Sequence, residues 1–445
     1  MKKGVDNYTF LTEGPVGKVI RHMAIPTIIS MLVTSIYNIV DTYFVGLINT
    51  QATAAVGVAF PIMAILQSIG FFFGQGSGTF ISRKLGAKDT LQAQAMASTA
   101  FFSTLIFGAI IGALGLVFMR PLAVAFGSTP TILPYTEDYL VMIMLASPFM
   151  TGSMVLNNQM RFQGNASSAM LGMMTGAVLN VLLVPLFAFT FGLGIYGTGI
   201  GTALSQVFGF LVLLYMTHTG KNISLKFSDF SFKKSYYIEI VKGGTPSLTR
   251  QGLASVATMM LNLAAGVYGD AAIAGMSIVS RLSFVVFAVI IGIGQGFQPF
   301  CGFNYGARLY TRVHQGYFYS LKLCWAFLSV CCVPGFVWAA GLIDILRHDP
   351  EVVAVGEVAL RWQIVTWPLA AFITVTNMCL QTSGRTVSAN IVAASRNGIC
   401  FIPLILILPH FYGLLGVEIT QAVADVFSFL IGVPVIVSYF RSLKS

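Results

Sequence analysis

A chain of 445 residues could fill two or three soluble domains, but 56% of these residues are apolar, only 9% are charged, and the mean hydropathy is +0.82. Soluble chains need roughly 25% charged residues to keep their surfaces wet, and a water-facing surface of this composition would be one continuous apolar patch. Lipid is therefore the solvent for most of the chain, and the net charge of +10 reads as attraction to anionic headgroups, not to nucleic acid.

From the amino terminus, Lys2 and Lys3 open some twenty mixed residues before the first apolar run. No small-residue cleavage site follows a short hydrophobic core, so a removed signal peptide is not expected. A spanning helix needs about 20 mostly apolar residues. By that measure, runs lie near 25–48, 52–80, 92–119, 136–160, 166–189 and 194–217, then near 245–268, 272–303, 315–341, 352–381, 388–409 and 415–439. Twelve transmembrane helices are expected, in an all-α membrane protein. The division is a tail 1–22, a first lobe 23–217, a polar linker 218–244, a second lobe 245–440 and a tail 441–445. Cys301, Cys324, Cys331, Cys332, Cys379 and Cys400 sit in or beside apolar runs of the second half without metal-ligand spacing, as small packing residues do.

Charge tests this count independently. With twelve spans the loops alternate sides, and Lys and Arg favour the cytoplasmic ones. One side collects eighteen of them, including Arg83, Lys84, Lys88, Arg161, Lys221 and Lys444; the other holds only Arg120 and Arg347. A missed span would scramble that segregation. Both termini are thereby placed in the cytoplasm.

The chain repeats itself at an offset of 220 residues. Pro26 falls on Pro246, Gly74-Gln75-Gly76 on Gly294-Gln295-Gly296, Gly86-Ala87-Lys88 on Gly306-Ala307-Arg308, and Asn157 on Asn377. Six spans per copy is even, so the copies enter the membrane in the same orientation as parallel repeats, the architecture of two lobes that rock about a shared cavity. Pro26 and Pro246 lie inside matched spans, where a proline frees a backbone carbonyl and permits a bend.

Ionisable residues at membrane depth are costly and mark functional sites. Asp41 lies fifteen residues after Pro26, about four turns into the first span. Tyr37 and Asn38 lie one turn earlier, near the same face. Desolvation disfavours the charged form of such a carboxyl, so it can take a proton or hold a small cation as its exposure changes. In the second lobe Arg250 is expected to snorkel toward the nearby interface. Arg281, Arg361 and Arg396 fall deeper, and Glu418 and Asp425 lie two turns apart in the last span. These five are read either as structural ion pairs or as the lining of a cavity for negative or mixed charge.

At Ala24-Ile25-Pro26, at Tyr37-Asn38-Ile39-Val40-Asp41-Thr42-Tyr43-Phe44-Val45-Gly46 and at Gln163-Gly164-Asn165, the chain resembles the multidrug and toxic compound extrusion (MATE) transporters, in their bacterial multidrug-export branch. The resemblance runs from about Glu13 to Arg441. It implies two six-helix lobes around a central cavity and export of amphipathic compounds driven by proton or sodium entry. It also implies a cation site at Asp41, Asn180 and Thr202, with Tyr37, Asn38 and Asn157 around it, and no metal beyond a sodium ion at Asp41. Val184 stands where related sequences often carry an aspartate, which favours protons as the coupling ion. Ala254 and Arg385 stand where another branch has acids in its second lobe.

The expected function is thus a secondary active multidrug antiporter, without cofactor and acting as a monomer in membrane lipid on small-molecule substrates. The alternative is a flippase or exporter for a lipid-linked or anionic metabolite, held by Arg281, Arg361 or Arg396. An intramembrane enzyme would have Asp41 and Asp425 as acid and base, but no HExxH, GxSxG or P-loop pattern supports catalysis.

Overall fold

Long runs of apolar residues in lipid must satisfy every backbone group internally, and this chain does so with helices throughout its described residues. The computed structural model describes residues 7–219 and 222–443. Lys2, Lys3, Lys221 and Lys444 of the basic set lie outside the described residues, as do the side chains of Asn38 and Ile39.

A short α1 (Asn7–Glu13) precedes the first lobe, which comprises α2 (Val16–Gly46), α3 (Thr50–Gly86), α4 (Thr90–Val117), the short α5 (Met119–Ala125), α6 (Leu133–Phe162), α7 (Ala166–Pro185) and α8 (Gly194–Thr219). The second lobe follows as α9 (Lys234–Gly266), α10 (Asp270–Gly306), α11 (Tyr310–Val337), the short α12 (Ala339–Leu346), α13 (Pro350–Thr382), α14 (Thr386–Ala394), α15 (Phe401–Tyr412) and α16 (Leu414–Ser442). A π-helical segment, Leu186–Thr190, extends α7, and another, Ser395–Cys400, joins α14 to α15. Eleven spans are long and apolar enough to cross a bilayer. The twelfth, α9, is long enough but polar, with Thr245, Ser247, Thr249, Arg250 and Gln251 in succession.

The repeat is visible in the helix bounds. The starts Thr50 and Asp270, Thr90 and Tyr310, Met119 and Ala339, Ala166 and Thr386, and Gly194 and Leu414 are each 220 residues apart. Lys88 and Arg308, in the matched Gly-Ala-basic turns, are the two non-glycine residues with positive φ among the described residues, both at 60°. The expected tail and linker are shorter than the sequence indicated. The first span begins at Val16, and α9 begins at Lys234 because its first turns pack on α3, with Gly243 against Gly76 and Thr79. Within the tail, α1 buries Leu11, whose carbonyl accepts a hydrogen bond from Asn304 Nδ2 at 3.0 Å.

The lobes meet along α2 with α10 and along α3 with α9, the same pairing twice. Apolar burial does not drive helix association in lipid, so close backbone approach carries it. At the end of the bundle holding the termini, a Cβ on Gly86 would lie 2.2 Å from the Phe303 carbonyl oxygen, and one on Gly306 would lie 2.0 Å from that of Arg83. These reciprocal contacts join the last turns of α3 and α10. Arg83 adds a hydrogen bond to the Thr382 carbonyl at 2.8 Å and an ion pair to Glu239 at 3.1 Å. Farther along, the seam parts. Gly244 packs on Phe72 and Gly292 on Ile28, but Ser255, three turns beyond Gly244 on the same face, and Arg281, three turns beyond Gly292, are exposed. The two lobes are packed together at the termini end, and these faces are exposed toward the other.

Replacing a helical glycine with alanine gains about 1 kcal/mol of propensity, whereas overpacking against backbone costs about 1–3 kcal/mol. Gly306→Ala and, more strongly, Gly86→Leu should therefore loosen this closure. Spin labels at positions 88 and 308, in a cysteine-free background, should report longer and broader distances in the variants; an unchanged distribution would mean the glycines do not set the seam.

Candidate functional site

Three polar groupings lie at membrane depth. In the first lobe, α2 carries Asp41 against α7 and the α6–α8 pair. Asp41 is 8% exposed, and its Oδ1 receives no hydrogen bond. Among the described residues no Lys, Arg or His lies within ion-pair distance of it. Tyr37 and Tyr139 both lie within electrostatic range of its carboxyl; Tyr37 also reaches Gln206, and Tyr139 reaches Thr202. Thr202 in turn accepts a hydrogen bond from Asn180 Nδ2 at 3.2 Å, and both residues are buried. That bond is positioned by Gly201, where a Cβ would lie 2.8 Å from Val184 Cα, so α8 lies directly on α7. The Asn180 Oδ1 is buried without a partner. Asp41 and Asn180 thus each keep one buried acceptor atom without a partner, and sequence reasoning missed the nearby Tyr139 because an isolated tyrosine carries no pattern.

Tyr37 also walls a cavity of about 70 Å³ with Thr34, Gln67, Ser153, Asn157 and Gln206. Its volume and these polar residues, set among Met154, Met173 and Leu213, leave room for ordered water. Asn157 has a second role: its Nδ2 donates to the Ala169 carbonyl at 2.9 Å, tying α6 to α7, and Asn377 makes the matching bond to Ala389 at 2.7 Å. The expected contribution of the Asn38 side chain lies outside the described residues.

In the second lobe, Arg396 in the π-helical segment pairs with fully buried Asp425 at 2.8 Å. Gln421 and Thr366 also donate to that carboxylate, and the guanidinium stacks over Phe287 at 4.4 Å. Glu418 is 5% exposed, two turns from Asp425 on the same helix face. Arg361 is not brought to this group. It pairs with Glu357 at 2.8 Å and donates to the Phe336 carbonyl, because its face of α13 turns toward α11. Arg281 stands alone on the inter-lobe face of α10 where the seam has parted.

Between the lobes lies a third grouping that the sequence reading scattered. Arg161, counted there as a loop cation, is 2% exposed and hydrogen-bonds Asn158 Oδ1 at 2.6 Å and Gln295 Oε1. Gln75 links Asn158 to Gln298. Arg250 turns inward instead of snorkelling, donating to Asn377 Oδ1 at 2.9 Å. The Gly-Gln-Gly repeat at Gln75 and Gln295 was the available signal: two glutamines at one depth, each in a close-packed glycine setting. None of the three groupings forms a cluster of His, Cys, Asp and Glu able to hold a metal among the described residues.

The MatE family profile matches residues 26–186 and again 246–407, once per lobe. The chain belongs to the MatE family. Among its relatives is the multidrug export protein MepA of Staphylococcus haemolyticus, 28% identical over 94% of this chain and 92% of that one. MepA of Staphylococcus aureus strain MRSA252 is 27% identical over the same shares. In fold, the chain superimposes on an outward-facing conformation of a multidrug resistance MATE family transporter with a TM-score of 0.93, at 24% identity and full coverage of both chains. It also superimposes on a MOP superfamily transporter from Pyrococcus furiosus with a TM-score of 0.92, again at 24% identity and full coverage. The MATE fold comprises twelve transmembrane helices in two lobes, and the present chain is a multi-pass membrane protein of that fold.

Removing one partner of a buried ion pair costs about 3–5 kcal/mol because the other charge is stranded, whereas removing both costs far less. Arg396→Gln should therefore lower the thermal unfolding midpoint in detergent markedly, and Arg396→Gln with Asp425→Asn should recover most of the loss. Equal effects of the single and double variants would show that the pair is not the stabilising unit.

Proposed function

We propose that this transporter is a multidrug efflux antiporter that exports amphipathic small molecules by alternating access, driven by protons entering on Asp41. The observation that carries the reading is a buried carboxyl with no cation beside it. A lone carboxylate is costly at that depth, so the group is stable when neutral and can hold a proton until its surroundings change. The relatives named for multidrug export support the class of cargo.

The parted seam supports alternating access. With the termini end closed, this conformation is open on the opposite side, which is the extracellular face if both termini are cytoplasmic in a bacterial plasma membrane. The geometry of α2 suits a helix that moves with protonation. Thr27, Ser30, Thr34 and Ser35 each donate back to the carbonyl four residues earlier, a pattern that bends helices. Pro26 removes one backbone donor from the same stretch, and Asp41 rides on its far end.

Protons are favoured over sodium by the donor set. Asp41, Asn180 and Thr202 offer one carboxylate, one amide oxygen and one hydroxyl, and Val184 is fully buried where a second acid would stand. A proton needs only the carboxyl. The protein needs no cofactor in this scheme and works as a monomer.

In sealed vesicles carrying a proton gradient, Asp41→Asn should abolish gradient-driven transport of an amphipathic dye while leaving dye binding in place. A sodium gradient alone should drive little transport in the wild type. Undiminished proton-driven transport by the variant would reject the role of Asp41.

A further inference from the structure

Away from the α2–α10 and α3–α9 seams, the second lobe carries two cavities on one set of neighbouring elements. The first, of about 380 Å³, lies at the termini end between the start of α14 and the last turns of α16, where Arg385, Ser388, Ser438 and Ser442 line it. The second, also of about 380 Å³, lies farther along between α16 and the stretch that runs from the π-helical segment into α15. Its lining is apolar: Ile399, Pro403, Leu404, Phe427, Leu430 and Ile431.

The two cavities follow one stripe of α16. Phe427, Ile431, Pro434, Ser438 and Ser442 recur every three or four residues, so they share a helix face roughly 22 Å long. That stripe is apolar at its deep end and carries hydroxyls at the termini end. Phe427 and Leu430 are half-exposed on it. The opposite wall includes the π-helical segment, a kind of bulge that recurs at functional sites.

The polar end is equipped for a phosphate. Arg385 is exposed and donates to Ser442 Oγ at 3.2 Å, which places its guanidinium at the cavity mouth. Neither Arg385 nor the exposed Arg441 is within ion-pair distance of an acid among the described residues, and no acid lines either cavity. A planar guanidinium with hydroxyls around it presents the donors that recognise phosphate oxygens, and a basic pocket between spanning helices near the membrane surface suits an anionic headgroup. The duplication shows that this charge is not part of the scaffold. At the matched positions of the first lobe Asn165 donates to Asn222 Oδ1 at 3.4 Å, so two neutral amides make the same junction there.

We propose that the α14–α16 groove binds one anionic phospholipid, its phosphate held by Arg385 with Ser388, Ser438 and Ser442, and an acyl chain lying along Phe427, Leu430 and Ile431. The lipid is a resident of the second lobe, not cargo, so the assignment rests neither on Asp41 nor on the export reading. Its chain lies against the π-helical segment that holds Arg396 on Asp425.

Native mass spectrometry of the delipidated full-length protein in detergent reads bound lipid directly. The probes are phosphatidylglycerol, phosphatidylcholine with the same chains, and inorganic phosphate. The wild type should bind one phosphatidylglycerol roughly fivefold more tightly than phosphatidylcholine. Arg385→Gln should erase that preference and Arg385→Lys should keep part of it. Leu430→Trp, which fills the apolar end from an exposed position, should weaken both lipids, and inorganic phosphate should not displace the bound lipid. Arg347→Gln, exposed on the opposite side from the termini, should change nothing. Equal wild-type affinity for the two lipids would overturn the proposal, as would a preference that survives Arg385→Gln or is lost equally in Arg347→Gln. Displacement by inorganic phosphate, with lipid binding indifferent to Leu430→Trp, would show a free-anion site and overturn the assignment to a lipid.

Discussion

A charge inside lipid is costly unless it is paired, neutralised or held by hydrogen bonds, and this chain places several charges among its helices. Asp425 is paired with Arg396. Asp41 has no cation within ion-pair distance among the described residues, and its Oδ1 accepts no hydrogen bond. Arg161 and Arg250 are surrounded by amides that orient them without cancelling their charge. The scaffold that holds all three is a duplicated six-helix unit, and every one of these groups departs from the duplication. At the matched positions Asp41 faces Leu261, Arg250 faces Ser30, Arg396 faces Gly176, Asp425 faces Ser205 and Arg161 faces Gln381. The repeated residues build the two lobes and the seam; the unrepeated ones carry charge to particular depths.

The seam depends on the repeated residues. Gly86 and Gly306 contact each other's lobe through backbone carbonyls, so closing that end is a matter of two backbone surfaces meeting, with little side-chain entropy to lose. Such an interface either fits or separates, as a two-state rocking motion requires. In α2, back-bonding hydroxyls and Pro26 loosen the backbone ladder on either side of the seam contact at Ile28.

The twelve spans, the duplication and the depth of Asp41 were legible in the sequence because each rests on a long-range regularity: apolar run length, segregation of cations between loops, and matched Pro, Gly and Asn at one offset. The start of α9 was not legible, since its first turns are polar and gain their helical partners only by packing on α3. Arg161 was misplaced for a related reason. A cation near the end of an apolar run looks the same whether it faces water or a polar seam, and only the neighbouring lobe, through Gln295, decides between them. Arg361 was read either as an ion-pair partner or as a cavity residue; it pairs with Glu357 and faces α11, a choice the sequence could not make because helix orientation about its own axis is set by packing that hydropathy does not encode. Tyr139, fully buried within range of Asp41 and Thr202, was out of reach because those residues lie on two other helices.

The central claim is that Asp41 holds a proton when the cleft is open and unloaded, and gives it up as its surroundings change. Infrared difference spectroscopy on the purified protein reads this directly through the carbonyl stretch of a protonated carboxyl. Titration through the neutral range should reveal a protonated-carboxyl band in the wild type that is missing from Asp41→Asn and that changes when cargo binds. A spectrum in which the wild type and Asp41→Asn are the same, with no such band assignable to this residue at any pH, would contradict the account.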